Sequence, residues 1–396
     1  AAAVERLDPA AGRMLQAVWF DAGPAGGRLL LVAHHAAVDA VSWQVIVPDL
    51  AAACTGGEPA SAGTPYRAWA LGLQRAAYDP GRVAELDRWR AVLGAPETVL
   101  GARALDPAVD VVGTVEEVEV ELPAEVTAAL LTRVPEALRA GVTDVLLAAL
   151  PRALGRGSVV VSLEGHGREE HVVPGADLSG TVGWFTSVHP VRVDAGDDVA
   201  DAVRRLRRER AGIPDGGIGF GLLRHLNPDT AAELAVLPAP QVGFNYLGRL
   251  DGGAAGPASD WAPAPELSGL GGDAHPDFPA PAALEINAAT VAGVLRATWA
   301  FPAGVRTVAE VRAMAQRWRD ELTALASGRI GLDPADLDLV AVEPADLRRW
   351  QRAHPSLSDV WPLTPLQEGL LVHARLDEHD AYVVQTVLEL AGPLDV

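Results

Sequence analysis

Residues 28–43 of the chain read RLLLVAHHAAVDAVSW, an apolar run that leads into two histidines and an aspartate. This run and the stretch RMLQAVWF at 13–20 predict two strands joined by the turn DAGPAGG. His34 and His35 stand at the end of the second strand. Because neighbouring side chains of a strand point to opposite faces, we expect one histidine to face a cavity and the other to be packed.

Asp39 follows the histidines by one short turn, just before a helix predicted over residues 42–54. In that position its carboxylate can orient an imidazole ring or pair with an arginine. The alternative for the whole group is purely structural, because a histidine pair at the end of a strand is compatible with ordinary packing.

A second motif follows another apolar strand. The run SVVVSL at 158–163 predicts a buried strand, which leads directly into EGHGRE at 164–169. Desolvation at the end of such a strand would raise the pKa of Glu164, and the two glycines would let the backbone approach a ligand closely. The alternative interpretation is a solvated turn between two strands.

The two motifs together offer an imidazole and a carboxyl group on separate strand ends. Such a pair suits the removal and return of a proton, and groups on opposite faces of one acidic carbon can invert it. Residue counts exclude other routes within this chain. Cys54 is the only cysteine, which rules out a two-thiol mechanism, and no lysine is present to form a pyridoxal Schiff base.

The overall composition restricts the partners of the chain. Its 52 acidic and 32 basic residues give a net charge of -20, which argues against non-specific nucleic-acid binding. No apolar run reaches the roughly 18 residues of a membrane span, and the first residues lack the pattern of a signal peptide. We therefore expect a cytoplasmic protein that binds neither nucleic acid nor membrane. The single cysteine and the spacing of the histidines also predict no metal site.

The rest of the chain is expected to alternate strands and helices. Residues 94–112, rich in proline, glycine and alanine, suit a crossing between two lobes, and residues 328–356 suit a linker. Further strands are predicted at 115–122, 182–193, 241–246, 284–289, 295–301 and 383–390, and further helices at 65–78, 81–93, 124–154 (broken near Pro135 and Gly141), 199–211 and 307–327.

The segment HHAAVDAVSW at 34–43 resembles the condensation-domain superfamily of non-ribosomal peptide synthetases, and more narrowly its epimerization domains. Ala40 stands where condensation domains usually carry glycine, and Ser42 and Trp43 match the epimerization variant. Four more signatures of that subfamily follow in order: EGHGRE at 164–169, TVGWFTSVHPV at 181–191, IPDGGIGFGLLRHL at 213–226 and PQVGFNYLG at 240–248.

The resemblance implies an α/β fold like that of chloramphenicol acetyltransferase, with two lobes of mixed sheets in a V and an active-site tunnel between them. Residues 1–112 would form the N-terminal lobe of an epimerization domain without its opening segment, and residues 113–327 its C-terminal lobe. Residues 328–356 would link it to the N-terminal start of a following condensation domain at 357–396, which contains DVWPLTPLQEGLLVHA.

The implied reaction is epimerization, from L to D, of the α-carbon of an aminoacyl or peptidyl thioester. The substrate would be carried on the phosphopantetheine of an upstream carrier domain, and this domain would bind no cofactor of its own. The downstream partner would be a condensation domain of the same polypeptide.

The family pattern also assigns roles to residues. It implies that His35 and Glu164 are the acid–base pair on opposite faces of the α-carbon, and that His34 is packed and orients the loop. Asp39 is expected to be structural and to pair with Arg168.

Expectations also cover two residues of the stretch PQVGFNYLG at 240–248. Asn245 and Tyr246 are expected to line the tunnel or to stabilise the enolate. The alternatives are a condensation domain that uses the same histidine for peptide-bond formation, a non-catalytic module that docks carrier domains, and a hydrolase with a metal on His34, His35 and Asp39. The last is disfavoured because adjacent strand residues do not share one metal easily.

Overall fold

The computed structural model describes most of the chain as two compact units, Ala1–Ile330 and Gly331–Val396. The first unit carries all of the residues singled out above as candidate site residues. The described residues are 2–95, 97–250, 261, 264, 274–376, 384–389 and 391–392.

Strands of the first unit form two sheets within these described ranges. One is an antiparallel pair and the other is a mixed sheet of six strands in the order β3-β8-β7-β6-β4-β5. The strands are β1 (Leu15–Asp21), β2 (Gly27–Ala33), β3 (Val115–Leu122), β4 (Ser158–Gly165), β5 (Ser187–Asp194), β6 (Val242–Arg249), β7 (Leu284–Val291) and β8 (Val294–Pro302).

The six-stranded sheet is parallel in its middle and antiparallel at both sides. β6 runs parallel to β4 and to β7, whereas β3, β8 and β5 join antiparallel. This arrangement confirms the predicted α/β class with a mixed sheet. All six strands follow residue 112 and both strands of the pair precede it, and the division into lobes at that residue stays a prediction.

The two faces of the six-stranded sheet differ in character. On one face Val161, Phe244, Ile286 and Trp299 are fully buried in the main hydrophobic core. Their neighbours along each strand point the other way, as the alternation of side chains in a strand requires. Most of these neighbours are polar or small, and Val160 is an apolar exception. This second face, called the polar face below, carries Ser162, Glu164, Gly243, Asn245, Glu285 and Asn287.

Helices of the first unit pack against the six-stranded sheet. The helices of this unit are α1 (Ala40–Cys54), α2 (Tyr66–Ala76), α3 (Pro80–Val83), α4 (Leu86–Leu93), α5 (Ala124–Leu131), α6 (Arg133–Leu138), α7 (Val142–Ala148), α8 (Leu150–Ala153), α9 (Val199–Ala211), α10 (Ile218–His225), α11 (Pro228–Ala235) and α12 (Val308–Ser327). In the second unit they are α13 (Pro344–Ala353) and α14 (Pro365–Leu376).

The long helix α12 packs on the core side of the sheet next to β3, α5 and α8. Trp318 of this helix is fully buried, and its indole nitrogen donates a hydrogen bond of 3.0 Å to the carbonyl of Leu146. Its ring meets that of Trp299 edge to face with the centroids 6.0 Å apart. One helix therefore ties β8 to α7 through two tryptophans.

One predicted strand is wrong. Residues 384–389 have no regular secondary structure, although VVQTVLEL at 383–390 alternates in a way that favours a strand. A strand needs a partner to pair its backbone groups, and none of the described residues pairs with this segment. Among the described residues, no helix has both the length and the apolar character to cross a bilayer.

Candidate active site

The two histidines differ in their surroundings, although neither lies in a strand, because β2 ends at Ala33. His34 is half-buried at the start of a 3-10 turn over His35–Ala37, and its Nδ1 accepts a hydrogen bond of 3.2 Å from the backbone N–H of Ala36. His35 is exposed, and its ring lies 5.3 Å from the ring of Trp184. His34 thus stabilises the turn, while the ring of His35 is exposed.

Asp39 is buried, with 4% of its surface exposed, and it organises the start of α1. Its Oδ1 accepts hydrogen bonds of 2.7 Å from both the backbone N–H and the hydroxyl of Ser42. The backbone N–H of Asp39 in turn donates to the Ser42 hydroxyl oxygen at 3.4 Å, which completes a capping box. Its Oδ2 accepts a 3.2 Å bond from the N–H of Phe185. Burial raises the pKa of Asp39, but these hydrogen bonds and the charge of Arg168 outweigh burial and lower it.

The predicted ion pair between Asp39 and Arg168 is confirmed. Nη2 of Arg168 lies 3.2 Å from Oδ1 of Asp39, and Nη1 donates bonds of 2.8 Å to the carbonyls of Leu178 and Thr181. The guanidinium group also stands 4.0 Å from the centre of the Phe185 ring, within the range of a cation–π contact. The HHAAVD and EGHGRE motifs are therefore joined directly.

The glycines of EGHGRE stand close to other parts of the protein, and their approach to a ligand stays a prediction. Gly167 has a φ of +64°, and a β-carbon there would lie 1.7 Å from the carbonyl oxygen of Phe185. A β-carbon at Gly165 would meet the hydroxyl of Ser187 at 3.3 Å. Gly167 thus lets the chain fold against the segment at Phe185, so that Arg168 can reach Asp39.

Glu164 lies at the end of β4 on the polar face, where the charge of His35 acts on its carboxyl group. Desolvation by the surrounding protein raises the pKa of Glu164, as predicted, and the charge of His35 partly offsets this rise. Solvent still reaches the residue, so the shift is smaller than for an enclosed carboxyl group. An imidazole and a carboxyl group from distant parts of the chain thus interact at this sheet end.

Asn245 and Tyr246 point to opposite faces of β6, so they do not share one site. Asn245 is half-buried on the polar face, the face that carries Glu164. Tyr246 packs against the core, and its hydroxyl lies 3.2 Å from that of the buried Thr290. The expectation that Tyr246 lines the site is wrong, because adjacent residues of a strand cannot face the same side.

One carboxyl group of this face, that of Glu285, belongs to no motif and was not predicted as a site residue. Burial and the nearby charge of Glu164 raise the pKa of Glu285 to about 7. The signal that could have found it is the alternation in LEINAATV, which places Glu285 and Asn287 on the side away from the core. That alternation matches no motif, and it indicates a site residue only when β7 is known to lie beside β6.

The described residues contain no cluster of three or more histidine, cysteine or acidic side chains that could hold a metal ion. A cavity of about 670 Å³ lies away from His35 and Glu164, next to Arg82, Glu85 and Asp215. A second cavity of about 550 Å³ lies at the N-terminal ends of β4, β6 and β7, next to Val160 and Gln241. The tunnel expected between two lobes stays a prediction.

Comparison with known proteins agrees with this architecture. The chain matches the family model of the condensation domain over residues 2–269. Linear gramicidin synthase subunits C and D of Brevibacillus parabrevis are 34% and 35% identical to it over 413 and 401 aligned residues. The alignments cover 98% and 96% of this chain but 5% and 8% of the subunits, so the chain corresponds to a small part of each relative.

Two solved structures share the fold. The epimerization domain from the third module of tyrocidine synthetase B superposes with a TM-score of 0.69 at 26% identity, covering 80% of this chain and 72% of that one. The first condensation domain of the calcium-dependent antibiotic synthetase, in complex with a substrate analogue, gives 0.56 at 20% identity, covering 83% and 70%. By its sequence and by its fold, the chain belongs to the condensation-domain family.

Proposed function

We propose that this chain epimerizes the α-carbon of an aminoacyl or peptidyl thioester held on the phosphopantetheine of a carrier domain in non-ribosomal peptide synthesis. The observation that carries the proposal is the electrostatic interaction of His35 with Glu164 at one end of the six-stranded sheet. Ala40, Ser42 and Trp43 in the histidine motif and the likeness to a solved epimerization domain support the same choice.

The reaction needs one group to remove a proton and another to return one. The α-proton of a thioester is acidic because the carbanion delocalises onto the carbonyl oxygen. In the proposal, one member of the pair takes this proton, and the electrons of the C–H bond move to that oxygen. The other member then donates its own proton to the opposite face of the carbon. The starting enantiomer decides whether His35 or Glu164 acts as the base.

The surroundings suit these roles. A carboxyl group with a raised pKa is a stronger base than a solvated one and still ionises in a useful range. Both His35 and Glu164 are exposed, so each can exchange its proton with water between turnovers. The amide of Asn245 shares the polar face with Glu164 and is our candidate donor to the developing enolate oxygen.

The partners follow from the same proposal. The substrate arrives on an upstream carrier domain, and the product passes to a condensation domain that starts within residues 357–396. The domain itself requires no cofactor, because imidazole and carboxyl groups suffice for the two proton transfers. Residues 1–112 and 113–327 would be the two lobes, and residues 328–356 the linker.

The experiment follows exchange at the α-carbon. A carrier-bound aminoacyl thioester is incubated with the full chain in deuterated water, and the released amino acid is analysed for deuterium and for chirality. The wild type should introduce α-deuterium and form the D-enantiomer. Glu164→Gln and His35→Ala should each slow epimerization by about 10²–10⁴-fold, the usual contribution of a general acid or base.

Controls separate the rival functions. Glu119→Gln changes an exposed carboxyl group of the same sheet face on the edge strand β3 and should leave the rate unchanged. A dipeptide formed without α-exchange would instead indicate a condensation domain. No exchange and no dipeptide, with His35→Ala indistinguishable from wild type, would indicate a docking module. Loss of activity with a chelator would indicate the metal-dependent hydrolase.

A further inference from the structure

Glu285 lies on the polar face one strand beyond β6, in line with the site. In the sheet register Ser162 of β4, Gly243 of β6 and Glu285 of β7 stand side by side, and Glu164 lies two residues further along β4. Side chains that are side by side in this way point to the same face. Only β6 therefore separates Glu285 from Glu164.

Gly243 leaves the space through which Glu285 reaches towards Glu164. A β-carbon at Gly243 would lie 2.0 Å from Oε2 of Glu285, so the carboxyl group of Glu285 rests directly over β6. This orientation points the group from β7 towards β4 and away from β8. The half-buried position keeps it partly out of water, and burial followed by the charge of Glu164 raises the pKa of Glu285.

We propose that Glu285 is a positioning residue that acts through Glu164, by remaining protonated beside it so that this carboxyl pair holds a single negative charge. The inference rests on the proposed function. Two close carboxyl groups cannot both ionise easily. The charge of the pair belongs on Glu164, because His35 stabilises a negative charge there and burial disfavours one on Glu285.

Ionisation of Glu285 should oppose the reaction. When Glu285 loses its proton, the site carries a second negative charge near the carbon where an enolate must form. That charge disfavours the enolate. It also makes Glu164 hold its proton more tightly, so that Glu164 donates the proton less readily. Activity should therefore fall as the pH rises through the pKa of Glu285, about 7.

The other charged groups around Glu285 do not account for the expected fall in activity. Arg296 of β8 is paired with Glu121 at 2.9 Å, and Glu97 accepts a hydrogen bond from the N–H of Val160 lower on β4. β6 carries one charged residue, Arg249, at its far end. The charged residues from neighbouring elements that bear on this face are Glu164, Glu97, Glu117, Glu119, Glu121, Arg192, Asp194, Arg249, Arg296 and, through Glu164, His35. Of these, Arg192 of β5 is paired with Asp194 at 3.4 Å.

The first test measures the pH dependence of α-deuterium incorporation for the wild type and Glu285→Gln. The glutamine keeps the shape and the neutral state of the protonated acid. The ratio of the two rates should be near one below pH 7 and should rise above it, with the variant faster, by about tenfold for each pKa unit of repulsion between the second charge and the enolate. Glu119→Gln, on the same face, should keep the profile of the wild type. Equal profiles for the wild type and Glu285→Gln would overturn the inference, and an inactive wild type would instead overturn the proposed function.

The second test needs no activity. Infrared difference spectra of the full chain should show the carbonyl stretch of a protonated carboxyl group that disappears near pH 7 in the wild type and is absent in Glu285→Gln. Gly243→Ala should shift this transition, because the new methyl group displaces the Glu285 carboxyl group, whereas Gly221→Ala, which meets nothing within 4 Å, should not. A wild-type spectrum without such a transition would overturn the inference whatever the enzyme does.

Discussion

Asp39 connects three segments of the chain through one carboxylate. It caps α1 through Ser42, binds the N–H of Phe185 and pairs with Arg168. Asp39→Asn removes the charge that Arg168 needs while leaving Arg168 buried, so we expect a loss of about 3 kcal/mol in the free energy of unfolding in urea. Asp87→Asn, at a highly exposed site, should change it by less than about 0.5 kcal/mol. Equal stabilities for the two variants would contradict this account of Asp39.

The same residue gives a pH dependence with a definite sign. The pKa of Asp39 is lowered in the folded state, so its contribution to stability is present above its unfolded pKa of about 4 and is lost as the pH falls through the folded pKa. The stability difference between the wild type and Asp39→Asn should therefore shrink in acid below about pH 4. A difference that grows in acid would show that Asp39 is not held as an anion.

Gly167 tests the close approach between EGHGRE and Phe185. Gly167→Ala and Gly175→Ala both place alanine at a positive φ, which costs about 1–2 kcal/mol each. Only at Gly167 would the new β-carbon collide with backbone, at 1.7 Å from the carbonyl of Phe185, whereas nothing lies within 4 Å at Gly175. The midpoint of thermal unfolding should thus fall clearly further for Gly167→Ala. Similar midpoints would mean that the two segments can separate without cost.

Residue roles could be predicted where a motif fixes them locally. The pairing of Asp39 with Arg168 follows from the family resemblance, whereas the different surroundings of His34 and His35 arise in a turn after β2, so strand alternation does not explain them. Tyr246 was misplaced because its motif was treated as one unit, although β6 turns its neighbour Asn245 to the other face. Glu285 was missed because its position near Glu164 depends on strand pairing between residues far apart in sequence.

Helix α12 is the element that tests the packing of the core against the sheet. Trp318→Ala removes the contact with Trp299 and the hydrogen bond to Leu146, so we expect a loss of about 3–5 kcal/mol in unfolding free energy. Trp19→Ala, at a tryptophan with 60% of its surface exposed, should cost about 1 kcal/mol or less. A small loss at Trp318 would place the main core elsewhere.

Single elements could be predicted from local patterns, but their breaks could not. The acidic and apolar alternation of VEEVEVEL predicted β3 over 115–122 correctly. The helical stretch at 124–154 forms four short helices, and its breaks lie near Pro135, Gly141 and Pro151, of which the last was not predicted. The helix predicted at 81–93 is interrupted between α3 and α4, where no glycine or proline marks the break.

At the scale of the whole molecule, the order of the strands creates the site. β4, β6 and β7 come from segments that are about 40 to 80 residues apart, yet they align side by side with one polar and one apolar face. The sequence contains both faces as alternation along each strand, but the pairing that joins Glu164, Asn245 and Glu285 depends on long-range contacts. The alternation of strands and helices was predictable for that reason, and the fold class followed from the family resemblance. The full set of site residues was not predictable.

The central claim is that His35 and Glu164 act on opposite faces of one carbon, and the most direct test starts from each enantiomer separately. Single-turnover α-proton exchange in deuterated water is measured with L- and D-aminoacyl carrier substrates for the wild type, His35→Ala and Glu164→Gln. Two bases on opposite faces predict mirror-image defects: each variant loses exchange mainly from the enantiomer whose proton the missing group removes. Loss of exchange from the same enantiomer in both variants, or from neither enantiomer in either variant, would contradict the account.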